Sequence, residues 1–235
     1  MQAQNMSKNT IESLFKAGAH FAYTKARRHP SAKPFIFGVK NRVEIFDLEK
    51  TSEQLEKAKQ FVQSIAATGG SILFVGGKSE AREAIRNAAQ SLGMPFVASR
   101  WIGGTLTNFP EIRKRVTKLE QLLSQKEKGE LVKYTKKERL LIDREIVRLQ
   151  ENFSGLVPMK EFPKAMFVVD LKREHIAVKE AQAHNIPIIS LSGSDCNLGE
   201  VEYAIPGNDA SMQSIAYVVG QIATAYKEGA SSKKQ

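Results

Sequence analysis

The chain has 235 residues, 42% of them hydrophobic, and its 35 Lys and Arg outnumber 25 Asp and Glu for a formal net charge of +10. That is enough chain for one large or two small domains with a real core. No run approaches the ~18 uninterrupted apolar residues of a membrane span, the polar opening Met1-Gln2-Ala3-Gln4-Asn5-Met6-Ser7 lacks the apolar stretch of a secretory signal, and the single cysteine, Cys196, excludes an internal disulfide or a cysteine-based zinc cage.

In chain order, a helical period appears first near Thr10–Ala19, where Ile11, Leu14 and Phe15 share a face. Phe35-Ile36-Phe37 and Val43-Glu44-Ile45-Phe46 read as short strands joined by a hairpin-like turn at Gly38–Arg42. Thr51 or Ser52 is a candidate cap for a helix with Leu55, Ala58, Phe61, Val62 and Ile65 along one stripe, stopped by Gly69-Gly70. Ser71–Val75 is a continuous apolar run, as expected of a strand buried on both faces. A helix from about Ser79 to Leu92 and a strand at Met94–Ala98 follow.

The alternation then breaks. From about Pro110 to Glu151 the spacing predicts two long helices, one with Ile112, Val116, Leu119 and Leu122 in line, the other with Ile142, Ile146, Leu149 and Phe153. The break falls near Gly129, with Thr135 a candidate cap, and the narrow apolar seams predict an antiparallel coiled-coil hairpin. After it come a strand at Ala165–Asp170, a helix at Glu174–Asn185, a strand at Ile186–Leu191, a short strand near Tyr203–Ile205 and a helix over Ser211–Lys227.

Alternating strands and helices imply a mostly parallel sheet with right-handed crossovers. The expected fold is therefore α/β, a three-layer domain from residues 1–109 and 153–228, with a coiled-coil insertion at 110–152 and a mobile basic tail at 229–235.

Charge is unevenly placed. Residues 1–43 carry a net +7 and residues 110–152 a net +4, while the remaining two segments are close to neutral. No Lys or Arg lies between Lys179 and Lys227, although Glu180, Asp195, Glu200, Glu202 and Asp209 do. Such asymmetry points to one side that faces RNA and another turned elsewhere. From Ser13 to Val43 there is no acidic residue, and Lys25, Arg27, Arg28, Lys33, Lys40 and Arg42 interleave with Tyr23, Phe35 and Phe37. Cations neutralise phosphates and aromatics stack on unpaired bases; Phe35 and Phe37 are equally explained as core strand residues. On the hairpin, Lys114, Arg115, Lys136 and Lys137 are candidates for RNA contact, although solvated coiled-coil faces have the same composition.

The stretch Arg100-Trp101-Ile102-Gly103-Gly104-Thr105-Leu106-Thr107-Asn108-Phe109 holds the only tryptophan. Two glycines permit a tight turn, and Thr107 or Asn108 can cap the next helix. A cation beside an aromatic at such a turn suits nucleotide contact, which places Arg100 and Trp101 among the candidates.

Catalytic readings fare worse. Val75-Gly76-Gly77-Lys78-Ser79 lies between a strand and a helix, but the residue five before Gly77 is Ile72, so the long glycine loop of a G-x-x-x-x-G-K-[ST] motif is missing. A helix N-terminus with Lys78 can still attract an anion; a simple tight turn is the plainer alternative. His20, His29, His175 and His184 form no H-x-x-x-H or H-E-x-x-H pair, so no local metal signature exists. Asp170 ends its strand where α/β enzymes place functional groups, but no set supplies nucleophile, base and oxyanion donor together. No enzyme, cofactor or small-molecule substrate is expected.

The decapeptide at 100–109 closely resembles the signature of the bacterial-type small-subunit ribosomal protein S-two family. Ala17-Gly18-Ala19-His20-Phe21, Pro34–Gly38 with Asn41, Asp47–Thr51, Ile72–Gly76 with Lys78, Tyr134–Glu138, Phe167–Asp170, Glu174–Ala181 and Ile205–Asp209 resemble its other blocks in order. The resemblance implies a flavodoxin-like domain with a protruding coiled coil, no catalysis, and binding to small-subunit rRNA and neighbouring ribosomal proteins, ribosomal protein S-one among them. It places the chain on the ribosome, and the single cysteine fits a reducing cytosolic or organelle interior. Departures exist: Ala22 and Tyr23 stand where the family usually has Gly and His, and Ser192–Gly199 differs from its D-T-N-C-D-P pattern.

Overall fold

The computed structural model describes residues 2–232. Helix α1 (Gln2–Lys16) leads into an antiparallel sheet of β1 (Phe21–Thr24), β2 (Ile36–Lys40) and β3 (Val43–Phe46), in the order β1-β3-β2. Strand β1 was not foreseen; its residues are only half-buried and carry little of the alternation that marks a strand. The β2–β3 connection is a two-residue turn, Asn41-Arg42, with φ of 52° and 67°. Two left-handed residues match the twist of a tight hairpin.

The second sheet holds β4 (Ile72–Val75), β5 (Phe96–Val97), β6 (Ala165–Val169), β7 (Ile188–Ser192) and β8 (Tyr203–Pro206). All neighbours are parallel, and the order is β5-β4-β6-β7-β8. Every residue of β4, β6 and β7 is buried. Successive side chains point to opposite faces, and the faces have different covers. Ile72, Phe74, Phe167, Val169, Ile189 and Leu191 pack with α2 (Leu48–Thr68), α3 (Ser79–Leu92) and α7 (Met212–Ser232). Leu73, Val75, Met166, Val168 and Ile188 pack with α6 (His175–Ala183), Trp101, Leu106 and the base of the helical hairpin. The parallel five-stranded sheet covered by helices is the α/β arrangement expected, and the antiparallel three-stranded sheet stands beside it.

Helix α2 begins earlier than expected. Asp47, not Thr51 or Ser52, is its cap and accepts from the Glu49 amide at 3.1 Å. Thr51 is buried in the first turn, where its hydroxyl donates to the Pro206 carbonyl at 2.8 Å. At the other end, α7 runs on to Ser232, so 229–232 belong to a helix; the rest of the expected tail, 233–235, lies outside the described residues.

Helices α4 (Phe109–Glu127) and α5 (Lys136–Phe153) form an antiparallel helical hairpin turned at Gly129, whose φ is 71°. Thr135 and Glu138 make a reciprocal capping box at the start of α5. Ile112, Val116, Leu119, Ile146, Leu149 and Phe153 are buried along the seam. Farther out the seam thins, and Leu140, Leu141 and Val147 are exposed. No described helix is long and apolar enough to cross a membrane.

Candidate nucleic-acid interface

The signature turn is built inward. Glu180, on α6 and 7% exposed, sends its carboxylate into the loop after β5. One oxygen accepts from the Trp101 indole N–H at 3.1 Å and the Gly104 amide at 2.8 Å. The other accepts from the amides of Leu106 and Thr107 at 2.9 and 3.1 Å and from the Thr107 hydroxyl at 3.2 Å. Gly104 has a φ of 90°, a backbone state that needs glycine here. Burial alone would raise the Glu180 pKa; the indole N–H and the amides of Leu106, Gly104 and Thr107 outweigh it and hold the carboxyl below its ordinary range.

This overturns part of the sequence reading. Trp101 is 6% exposed and its only polar atom is used internally, so it is a core residue and not a stacking platform. Asn108 is the α4 cap position but its side chain makes no capping bond, and the Thr107 hydroxyl serves Glu180 instead. Arg100, next to them, is exposed.

The turn after β4 is filled by protein as well. Its Gly77 amide donates to Glu174 Oε1 at 3.1 Å, and a Cβ at Gly77 would stand 2.7 Å from the Ser99 carbonyl oxygen. Lys78 points across the C-terminal ends of the strands, 2.8 Å from Asp170 Oδ2 and 3.0 Å from Asp209 Oδ2. Burial opposes its charge, but the two carboxylates prevail and hold the ammonium above its usual pKa. Burial raises the Asp209 carboxyl and the Glu174 carboxyl. Lys78 is thus an internal counter-ion, not a free phosphate ligand.

Asp170 and Cys196 complete this cluster. Asp170 has a φ of 69°, and its Oδ1 accepts from the Arg173 amide at 3.1 Å. Asp170, Cys196 and Asp209 each offer a ligand atom within 4.8 Å of the others. The donor set does not suit a metal: Lys78 already sits against both carboxylates, and burial pushes the Cys196 thiol up to about 12. Tyr23 donates its hydroxyl to Asp209 Oδ1 at 3.4 Å.

The basic N-terminal segment divides in two. Arg28 is an internal residue, bonded at 2.7 Å to Glu44, which is 1% exposed. Arg27 lies over the Tyr23 ring, 4.2 Å from its centroid, and reaches Asp195 at 3.2 Å while remaining half-exposed. By contrast Lys25, Lys33, Lys40 and Arg42 are exposed and make no ion pair among the described residues. Phe35 is partly buried, but Phe37 is 80% exposed, so the core explanation holds for the first and fails for the second.

On the hairpin, Lys114 pairs with Glu111 on its own helix. Lys118 and Lys126 bridge to Glu145 and Asp143 across the two helices. Arg115, Lys136 and Lys137 are exposed, with no ion pair among the described residues. Glu180 and Glu44 were missed by sequence reasoning. The one available signal was their position as acids in otherwise apolar or basic surroundings.

The site therefore defines an α/β protein in which Lys78 and Arg28 are paired with buried carboxylates, while exposed cations lie between β1 and β3, at the signature turn and on the helical hairpin. The family model described as "Ribosomal protein S2" matches residues 14–229. The chain is 41% identical over 225 residues to a small ribosomal subunit protein uS2 of Bdellovibrio bacteriovorus, covering 96% of this chain and 72% of that protein. It is 42% identical to the uS2 of Mycobacteroides abscessus over 94% of this chain and 79% of the relative. A Coprothermobacter proteolyticus uS2 is 41% identical, with 94% and 82% covered. The chain belongs to the ribosomal protein S2 family, which is a ribosomal and not an enzymatic one.

Proposed function

We propose that this chain is a structural constituent of the small ribosomal subunit, supporting translation by binding small-subunit rRNA and neighbouring ribosomal proteins. Family membership supports the ribosomal role. The observation that carries RNA binding is the free positive charge of Lys25, Lys33, Lys40 and Arg42, facing solvent while Arg28 and Lys78 are paired with buried carboxylates. Phosphate contacts from such side chains fix position on a folded RNA without chemistry. Arg100, Arg115, Lys136 and Lys137 extend the same surface chemistry to the signature turn and the hairpin.

In this reading residues 110–152 are a coiled-coil insertion in a discontinuous, flavodoxin-like domain. The exposed Leu140, Leu141 and Val147 and the lysine-poor surface between Lys179 and Lys227 are left for protein partners, ribosomal protein S-one among them. The protein works on the ribosome, in the cytoplasm or an organelle interior. The other reading, an anion or nucleotide site at Gly76-Gly77-Lys78, is disfavoured by the carboxylates that occupy Lys78 and the Gly77 amide.

Sucrose-gradient fractionation of cell extract tests the proposal. The chain is expected to migrate with the small subunit and to be released by high salt, more readily after Lys40→Glu/Arg42→Glu. A chain found only in the soluble fractions overturns it.

A further inference from the structure

Beside the filled turn after β4 lies a cleft of about 260 Å³ lined by Gly77, Arg82, Arg100, Trp101, Arg173, Glu174 and Ile176. Three arginines line it from three separate elements: the first turn of α3, the loop after β5, and the turn before α6. All three arginines are exposed. Arg82 and Arg100 make no ion pair among the described residues, and Arg173 donates to the Gly77 carbonyl at 3.5 Å while feeling the charge of Glu174 and Glu80. Three cations against the single carboxylate of the lining leave the cleft net positive, unlike the surroundings of Lys78, which faces two carboxylates.

We propose that this cleft is a phosphate-binding subsite that takes one backbone phosphodiester of an RNA strand. Each guanidinium presents a planar fork of donors matched to phosphate oxygens. Three of them on the walls of one concavity supply both charge and geometry. Three arginines outnumber the one carboxylate of the lining, Glu174, which accepts from the Gly77 amide at 3.1 Å and attracts Arg173.

Size selects the ligand further. Pockets for whole cofactors or drug-sized molecules run to roughly 300–1,000 Å³, so the cleft suits a phosphate with its sugar better than a complete nucleotide cofactor. Ile176, 47% exposed, offers an apolar wall for a ribose. The assignment deepens the rRNA-binding reading and rests on it for the identity of the strand.

The full chain carries its own probe, because Trp101 is the sole tryptophan and lines the cleft. Its indole N–H resonance is followed while a uridine hexanucleotide without terminal phosphates, inorganic phosphate or AMP is added. The hexanucleotide should move that resonance in the wild type and bind about tenfold more weakly to Arg82→Ala/Arg173→Ala. The rest of the amide spectrum shows whether that variant is folded. With small-subunit rRNA, the same variant should lower the slope of log affinity against log salt by about 0.7 to 0.9, because one phosphate is no longer neutralised. An unchanged hexanucleotide response in the folded double variant overturns the proposal. Tight AMP binding without a hexanucleotide response overturns the RNA assignment in favour of a free nucleotide. If the hexanucleotide response is lost in the variant while the wild type shows no affinity for small-subunit rRNA, the cleft stands and the ribosomal reading fails.

Discussion

The globular α/β domain and the helical hairpin handle charge in opposite ways. In the first, ionised groups are drawn inside and matched one against another: Arg28 with Glu44, Lys78 with Asp170 and Asp209, Glu180 with a ring of N–H donors. In the second, a narrow apolar seam is buried and the ionised groups stay in water, pairing across the surface at Lys118–Glu145 and Lys126–Asp143. A buried charge deprived of its partner cannot recover solvation, whereas a surface charge loses little. Paired charge inside the domain therefore maintains architecture, and unpaired charge on its surface and on the hairpin remains available to a partner.

The largest test of this contrast is Glu180→Ala, which leaves several buried donors unmatched at once. It should cost about 4 kcal/mol in denaturant unfolding and disorder the loop around Trp101, read by its emission. A cost below about 1 kcal/mol would sink the idea that this carboxylate organises the turn. Its pH dependence has a definite sign. The folded-state pKa is depressed, so the contribution is fully present above the unfolded value of about 4.3 and is lost as pH falls through the folded value. The gap in stability between wild type and Glu180→Gln should hold from pH 7 to about 5 and narrow in stronger acid.

Next in size is Arg28→Met, which strands Glu44 in the interior. Glu44 already has one carboxylate oxygen without a hydrogen-bond partner. The expected loss is about 3 kcal/mol, and Glu44→Leu in the same background should restore much of it. Failure of that rescue would show that Arg28 matters for something other than its buried partner.

On the hairpin, Ile146→Ala removes a buried seam residue and should cost about 2 kcal/mol. The loss should appear as faster amide exchange in α4 and α5 while the sheet stays protected. Uniformly faster exchange would mean that hairpin and domain unfold as one unit. The smallest effect is expected for Lys126→Ala with Asp143→Ala, about 0.5 kcal/mol or less at moderate salt.

Much of the fold was legible in the chain because its signals are local. The apolar runs at Ile72–Val75 and Ala165–Val169, the helix stop at Gly69 and the paired seams of α4 and α5 all depend on neighbours a few residues away. Strand β1 was not legible, since an exposed edge strand needs no apolar alternation and is defined by its pairing with β3. The candidate interface was only half legible. Lys25, Lys33, Lys40 and Arg42 are where a surface reading puts them, but Arg28, Lys78 and Trp101 are not. Each of those three is turned inward by an acid distant in sequence: Glu44, Asp170 with Asp209, and Glu180.

By itself the sequence determined the class of fold, the two-helix interruption, the placement of charge in two segments and the family. Those properties reside in periodicity, turn chemistry and composition, which a linear chain carries unaided. Only the tertiary structure decided which cations are free. Burial and pairing are relations between segments brought together by the parallel sheet, and the same lysine or arginine is a phosphate ligand in water or a structural counter-ion beside a buried carboxylate. The cleft shared by Arg82, Arg100 and Arg173 has the same origin: three residues spread over 92 positions of sequence meet because β4, β5 and β6 end on one edge.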